Sequence, residues 1–321
     1  MQDRTAGSDR RFDKNSTAAD VLAGIDLTGR KAIATGASSG VGIALAQALA
    51  AAGAEVTLAV RNIDAGREVA DKIATEAKVR RPSVQYLDLL SLHSIRALVR
   101  AWGDRPLDML INNAGLMGLP FTLTEDGFES QMAVNFFGPF LLTKLLLPNL
   151  LAAAPARMVI VSSGAHHLAD FDLDDLNYAR RPYDRFAAYG DSKFAANLFA
   201  VGFAHGYAAQ GVTAFAVTPG GVATNLGRHS TFEDAVRLGW VNADGSLPQG
   251  EMKSPEQGAA TAVWAAVAPE LEGRGGLYLE DCAIAPNWEP PMPPGWRVRA
   301  SSLDPVAADR LWGAAERLTE S

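Results

Sequence analysis

The sequence predicts an α/β chain: a single domain on a doubly wound parallel sheet with helices on both faces. Three observations predict it. Short apolar runs alternate with longer helical segments along most of the chain, the pattern of successive strand–helix–strand units. A glycine-rich turn, Thr35-Gly-Ala-Ser-Ser-Gly-Val-Gly42, separates the first such run from the first helix. Later runs end in Asp88, Asn112-Asn-Ala-Gly115, Ser162-Ser163-Gly164 and Thr218-Pro-Gly, at strand ends where open parallel sheets bind ligands.

Residues 1–17 are polar and lack apolar periodicity, so residues 1–26 are expected to form an N-terminal arm, with the domain proper running over 27–280. The first strand, 31–35, feeds the glycine turn and a helix over 41–52. Glycines there let the backbone approach a pyrophosphate, and the helix N-terminus supplies free N–H groups; a plain strand-to-helix turn is the alternative. The second strand, 55–60, ends in Arg61-Asn62. An acid at this strand end grips the ribose of NAD, whereas an arginine accommodates a 2′-phosphate. Val60 stands where the acid would be and Arg61 follows, which predicts NADP(H) as the preferred cofactor with NAD(H) still open. A solvated surface arginine is the competing explanation.

Helices over 64–77 and 92–102 alternate with strands over 83–88 and 107–111, whose ends, Asp88 and residues 112–115, are placed to line an adenosine. A helical segment over 128–150 carries Asn135 among Val134, Phe136 and Phe137. A buried amide without partners costs about 1–3 kcal/mol, so Asn135 is either a helix-bending device or a placed functional group. The fifth strand, 157–161, ends at Ser162 and Ser163, and a polar excursion leads to a helix over 187–208. The strand at 212–217 runs into Pro219-Gly220, and residues 225–256, with Phe232, Leu238 and Trp240, form the expected substrate loop. Helix 255–267 and strand 276–280 finish the sheet. Residues 281–321 are a C-terminal extension packed on the same domain, opening in a proline-rich run (Pro286 to Pro294) and ending in a helix near 306–317.

With 48% hydrophobic and 20% charged residues and a net charge of -7, the chain has no global reason to bind nucleic acid or anionic lipid. No apolar leader and no run of about 18 apolar residues is present, so a cytoplasmic protein without a membrane span is expected. Cys282, the single cysteine, excludes an intramolecular disulfide and a multi-cysteine metal site. His166, His167 and His229 lack acidic or cysteine partners at ligand spacing, so they are taken as surface or cleft-lining residues and no metal is expected.

Tyr189 and Lys193 stand four residues apart at the head of an Ala-rich helix, on one face. An ammonium near a phenol, whose free pKa is about 10, favours the phenolate and makes the phenol a proton donor and acceptor for an alcohol or ketone. Such pairs are also common on exposed helix faces.

In register, Thr35-Gly-x-x-x-Gly-x-Gly42, Asp88, Asn112-Asn-Ala-Gly115, Asn135, Ser163, Tyr189-x-x-x-Lys193 and Pro219-Gly220 resemble the short-chain dehydrogenase/reductase family over 27–280, with its Rossmann-like sheet. Val60-Arg61-Asn62, Val161-Ser-Ser-Gly-Ala-His166 and the long Ser-to-Tyr spacing resemble the retinol dehydrogenase and WW-domain oxidoreductase branch. The resemblance implies a tetrad. Tyr189 would exchange a proton with the substrate oxygen, and Ser163 (with Ser162 the rival) would hold that oxygen. Lys193 would tune the phenol and grip the nicotinamide ribose, and Asn135 would hold a water behind Lys193. In the cofactor site, Gly36, Ser38, Ser39, Gly40, Val41 and Gly42 would meet the phosphates, Arg61 and Asn62 the 2′-phosphate, and Asp88 and Leu89 the adenine. Asn113, Ala114 and Gly115 would back the adenosine, while Pro219, Gly220, Val222 and Thr224 would fix the nicotinamide. A histidine frequent in the family after Asn135 is missing from Val134-Asn-Phe-Phe-Gly-Pro139.

The function implied is hydride transfer between NADP(H) and a small-molecule secondary alcohol or ketone. The substrate is expected to be bulky and apolar, steroid-, retinoid- or aryl-like, given Phe232, Leu238, Trp240, Trp288 and Trp296, and its choice to be made by the excursion before Tyr189 and the loop after Thr224. Two alternatives remain: a silent NADP(H)-sensing or partner-binding protein, which has no need of Ser163, Tyr189 and Lys193, and an enzyme holding its cofactor for epimerisation or dehydration. A homo-oligomer is left open.

Overall fold

The structure, a computed structural model, describes residues 11–247, 252–292 and 297–320; Pro293, Pro294 and Trp296 lie outside them. Within the expected arm, helix α1 (Ala18–Leu22) is set by a reciprocal cap between Thr17 and Asp20. Ala18, Val21 and Leu22 are buried, so this part of the expected arm is packed on the domain. The apolar set is too short to register as a period.

From β1 (Lys31–Thr35) the chain alternates through α2 (Gly40–Ala51), β2 (Glu55–Val60), α3 (Ile63–Glu76), β3 (Ser83–Tyr86), α4 (Leu92–Trp102) and β4 (Met109–Asn112). The third strand stops two residues short of Asp88, which lies in a loop and accepts from the Leu90 N–H at 3.0 Å. The long helix expected over 128–150 is divided into α5 (Ser130–Met132), a π-helical turn (Ala133–Phe137), α6 (Gly138–Leu145) and α7 (Leu147–Ala152). Asn135 sits in the π turn. Pro139 and Pro148 fall in the first turns of α6 and α7, where the missing N–H has no intrahelical partner to lose.

The chain continues through β5 (Ala156–Val161), α8 (Arg185–Tyr207), β6 (Val212–Thr218), α9 (Phe232–Arg237), α10 (Pro255–Val267), β7 (Leu277–Glu280), β8 (Ala283–Ile284) and α11 (Pro305–Thr319). One sheet results, in the order β3-β2-β1-β4-β5-β6-β7-β8. Its first seven strands in sequence are parallel, and β8 turns back antiparallel on β7. This last hairpin was not expected; it is made by Asp281 and Cys282, both at positive φ, the backbone of a tight two-residue turn.

Strands β4 and β6 are buried throughout, as a sheet covered on both faces requires. One apolar core packs α1, α2, α3 and α10 against one face, and the other packs α4, α6, α8 and α11 against the opposite face. Helix α8 is apolar on nearly every side because α11 covers its outer face, with Trp312 against Phe140, Phe199 and Phe203. Among the described residues no helix is long and apolar enough to cross a membrane.

Candidate active site

The strand order reverses between β1 and β4, so the loops after these strands diverge and leave a crevice at the C-terminal edge. The glycine turn is held there from both sides. Gly36 N–H donates to Ala59 O at 2.9 Å, Asn113 Nδ2 to Thr35 O at 2.9 Å, and Ala114 N–H to Thr35 Oγ1 at 3.0 Å. A Cβ on Gly36 would lie 2.8 Å from Ala114 Cα, and one on Gly42 would lie 2.5 Å from Gly36 O. Ser39, at the N-cap of α2, makes no capping bond. Among the described residues the turn therefore presents bare backbone and N–H groups that no side chain caps, a cradle that suits a pyrophosphate.

This turn opens into one cavity of about 1180 Å³. Residues 36 and 38–42, Arg61, Asn62, Asp88, Leu89, residues 113–115, Ser163, Tyr189, Lys193, Pro219, Gly220, Val222 and Thr224 all line it. Asn135 does not. It lies behind the wall, where Nδ2 donates to Leu116 O at 2.9 Å and Ser192 Oγ at 2.8 Å, and Oδ1 accepts from Leu116 N at 2.9 Å. These bonds tie the loop after β4 to α8, so the amide is satisfied by protein partners.

Helix α8 starts on Asp184, whose carboxylate accepts from the Phe186 and Ala187 N–H groups, and its first turns carry Tyr189 and Lys193 into the cavity. Lys193 Nζ donates to Val161 O at 2.8 Å and lies 5.6 Å from the Tyr189 ring centre. The Ser162 hydroxyl donates to Lys193 O at 3.1 Å, which commits Ser162 to the scaffold and leaves Ser163 as the hydroxyl beside Tyr189. Burial acts against both charged forms. It pushes the Tyr189 phenol up to about 12, opposed by a hydrogen bond with Ser163, and the Lys193 ammonium down to about 7.

Arg61 is exposed at the cavity mouth and, among the described residues, forms no ion pair, while the neighbouring Val60 is buried. Asn62 uses its side-chain oxygen to cap α3, accepting from Ala65 N–H at 3.0 Å, so only its amide N–H groups remain for a ligand.

Over the cavity lies the segment after Thr224, with Leu226, Phe232, Leu238, Trp240 and Leu247 among the lining residues. It is fastened to the head of α8 by an Arg185–Asp234 ion pair and by Trp240 stacking edge-on against Phe186 at 5.6 Å. Of the excursion before Tyr189, only residues close to Ser163 reach the cavity. The rest is folded onto α8: Asp175 accepts from three successive main-chain N–H groups, and Asp191 takes Tyr178 Oη and Arg181 Nη2. Trp288 stacks on His167 outside the lining. His167 lines the cavity but His166 is fully buried behind it, which corrects its reading as a surface or cleft residue.

Sequence reasoning missed Lys14, Asn15, Met117, Lys253 and Gln257, which also line the cavity. Lys253 pairs with Asp281 at 2.5 Å and bridges to Val222; its only sequence signal is its place before the Ser254-x-x-Gln257 cap. Among the described residues no group of three His, Cys, Asp or Glu side chains is arranged to hold a metal ion.

This sheet and site define an oxidoreductase family. Residues 30–234 match the family model for short chain dehydrogenase. The chain belongs to the short-chain dehydrogenase family. It is 46% identical to a "probable oxidoreductase" of Streptomyces lividans, covering 90% of this chain and 97% of that one. It is 42% identical to mouse polyprenol dehydrogenase over 91% of this chain and 84% of the relative, and 38% identical to mouse retinol dehydrogenase 13 with the same coverage. The branch of the family is thus the one that residues 60–62 and 161–166 resemble. Among solved structures, the RhlG/NADP active-site complex of Pseudomonas aeruginosa matches with a TM-score of 0.62 at 26% identity, over 79% of this chain and 95% of that one.

Proposed function

We propose that the protein transfers hydride between NADP(H) and a secondary alcohol or ketone on a bulky apolar molecule. The observation that carries it is the convergence of Tyr189, Ser163 and Lys193 on one cavity with the bare glycine turn. When bound, the nicotinamide supplies or takes up the hydride. Tyr189 gives its phenolic proton to the carbonyl oxygen in reduction and takes it back in oxidation. Ser163 donates a hydrogen bond to the same oxygen as negative charge grows on it. Lys193 holds the nicotinamide ribose, and Asn135 keeps Lys193's surroundings in register through Leu116 and Ser192. Arg61, with no carboxylate partner among the described residues and Val60 in the place of an acid, supports NADP(H); the RhlG complex holds NADP. The apolar cover from Leu226 to Leu247 supports a large apolar substrate, as do relatives named for polyprenol and retinol.

Titration of the purified chain with each reduced cofactor tests the reading. NADPH should bind at least about tenfold more tightly than NADH, ~1.4 kcal/mol, and Arg61→Ala should erase the difference. Tyr189→Phe should abolish ketone reduction while leaving NADPH binding nearly unchanged. Failure of both cofactors to bind at millimolar concentration would sink the proposal.

A further inference from the structure

His166 follows Ser163 by one turn and is completely buried. Its two ring nitrogens face different parts of the chain. Nδ1 lies 2.7 Å from Ser163 O, and Nε2 accepts the Arg299 main-chain N–H at 3.1 Å. Because a main-chain N–H can only donate, Nε2 is the unprotonated nitrogen. Nδ1 therefore carries the proton and donates it to the Ser163 carbonyl. Burial keeps the ring neutral, pushing its pKa down to about 3, so this tautomer persists across the working pH range. The ring is held flanked by Tyr278 at 5.2 Å and His167 at 4.3 Å.

The segment on the far side of His166 is fixed independently. Arg297 N–H donates to Glu280 at 3.1 Å, His167 Nε2 faces Arg297 O at 3.3 Å, and Arg299 Nη1 donates to Ala169 O at 3.1 Å. Asn197 Nδ2, one turn beyond Lys193 on α8, donates to Ser302 Oγ at 3.1 Å. Residues 297–302 are therefore bonded to the loop after Ser163, to the end of β7 and to the helix that carries Tyr189.

We infer that His166 is a positioning residue: through it the C-terminal extension holds the Ser163 main chain, and hence the Ser163 hydroxyl, in register with Tyr189. The inference rests on the proposed reaction for its effect on turnover, though not for the clamp itself. The Ser163 carbonyl accepts from His166 twice, at Nδ1 and at the main-chain N–H, so the ring is the link that couples this carbonyl to a distant segment.

Arg299 has φ -68, the value a proline ring takes. Arg299→Pro thus deletes the N–H that meets Nε2, and Arg299→Ala is its control, losing the guanidinium but keeping the N–H. In the cofactor-free chain, amide exchange over residues 162–169 should be faster in the proline variant than in the alanine variant by about tenfold. With NADPH and a ketone, kcat should be lower by about tenfold for proline against alanine, with NADPH affinity within about twofold. If the proline variant fails to fold, His166→Asn, which keeps a donor toward Ser163 O, should retain more kcat than His166→Ala. Equal exchange in the two Arg299 variants, or equal losses in the two His166 variants, overturns the inference. A wild-type chain that reduces no ketone refutes the proposed reaction instead, and the exchange comparison still decides the clamp.

Discussion

Lys193 and Tyr189 show how far a residue pattern reaches. Their spacing made them neighbours on one helix face, but it carried no information about solvent, and solvent sets their chemistry. The Lys193 ammonium, ordinarily near 10.5, is pushed by burial down to about 7. Between those two values the unfolded chain holds a proton that the folded chain has released, so stability rises with pH across this window; the burial cost is fully present below pH 7 and gone above 10.5. Lys193→Met removes that cost and sacrifices the hydrogen bond to Val161 O, worth about 1 kcal/mol. At about 1.4 kcal/mol per unit of displacement, less that hydrogen bond, the variant should be more stable than wild type by about 3–4 kcal/mol at pH 7 while losing ketone reduction. Urea melts at several pH values check it. The gain should shrink as the pH approaches 10.5, and a gain that ignores pH would mean that simple repacking, not desolvation of a charge, is responsible.

At the scale of elements, local features were legible and tertiary ones were not. The turn from Gly36 to Gly42 could be read because strand, glycines and helix are adjacent in sequence and each glycine answers a local need. Its tolerance can be tested with a matched pair of glycines. A Cβ at Gly42 meets Gly36 O at 2.5 Å and Asn113 Nδ2 at 2.7 Å, whereas one at Gly206, in the last turns of α8, meets nothing within 4 Å. Gly42→Ala should weaken NADPH binding by at least about tenfold and cost about 1–3 kcal/mol of stability, while Gly206→Ala should be neutral or stabilising by about 0.5–1 kcal/mol. Fluorescence titration and thermal melts separate them; equal behaviour would show that the turn relaxes freely. The excursion before Tyr189 was not legible in this way. Its acidic residues suggest a solvated loop, yet Asp175 closes it on its own main chain and Asp191, already on α8, holds it through Tyr178 and Arg181, and the cover comes instead from the segment after Thr224. The π turn at Asn135 is similar: the sequence marks a buried amide, but its partners, Leu116 and Ser192, are supplied by two other elements.

For the whole molecule, alternation of strands and helices carries the parallel, doubly wound sheet, while the ends of the chain need the finished core to find their places. Helix α1 is the clearest case. Polar composition around it hides three apolar side chains, and only the groove between α2 and α10 gives them somewhere to go. Its packing also sets the arm, since Gln257 at the head of α10 donates to Asn15 O at 3.2 Å and both residues, with Lys14, line the cavity. Leu22, 6% exposed, is therefore the position that separates a draped arm from a structural one. If the arm merely lay on the surface, Leu22→Ala would change stability by no more than about 0.5 kcal/mol. As a buried leucine whose neighbours are held by two long helices, it should instead cost about 2–4 kcal/mol, the large-to-small penalty for a site that collapses incompletely. Urea unfolding gives the value directly, and because the head of α10 adjoins the cofactor cradle, bound NADPH should recover part of the loss. A loss below about 0.5 kcal/mol would return residues 18–22 to the arm and leave the domain to begin at Leu27.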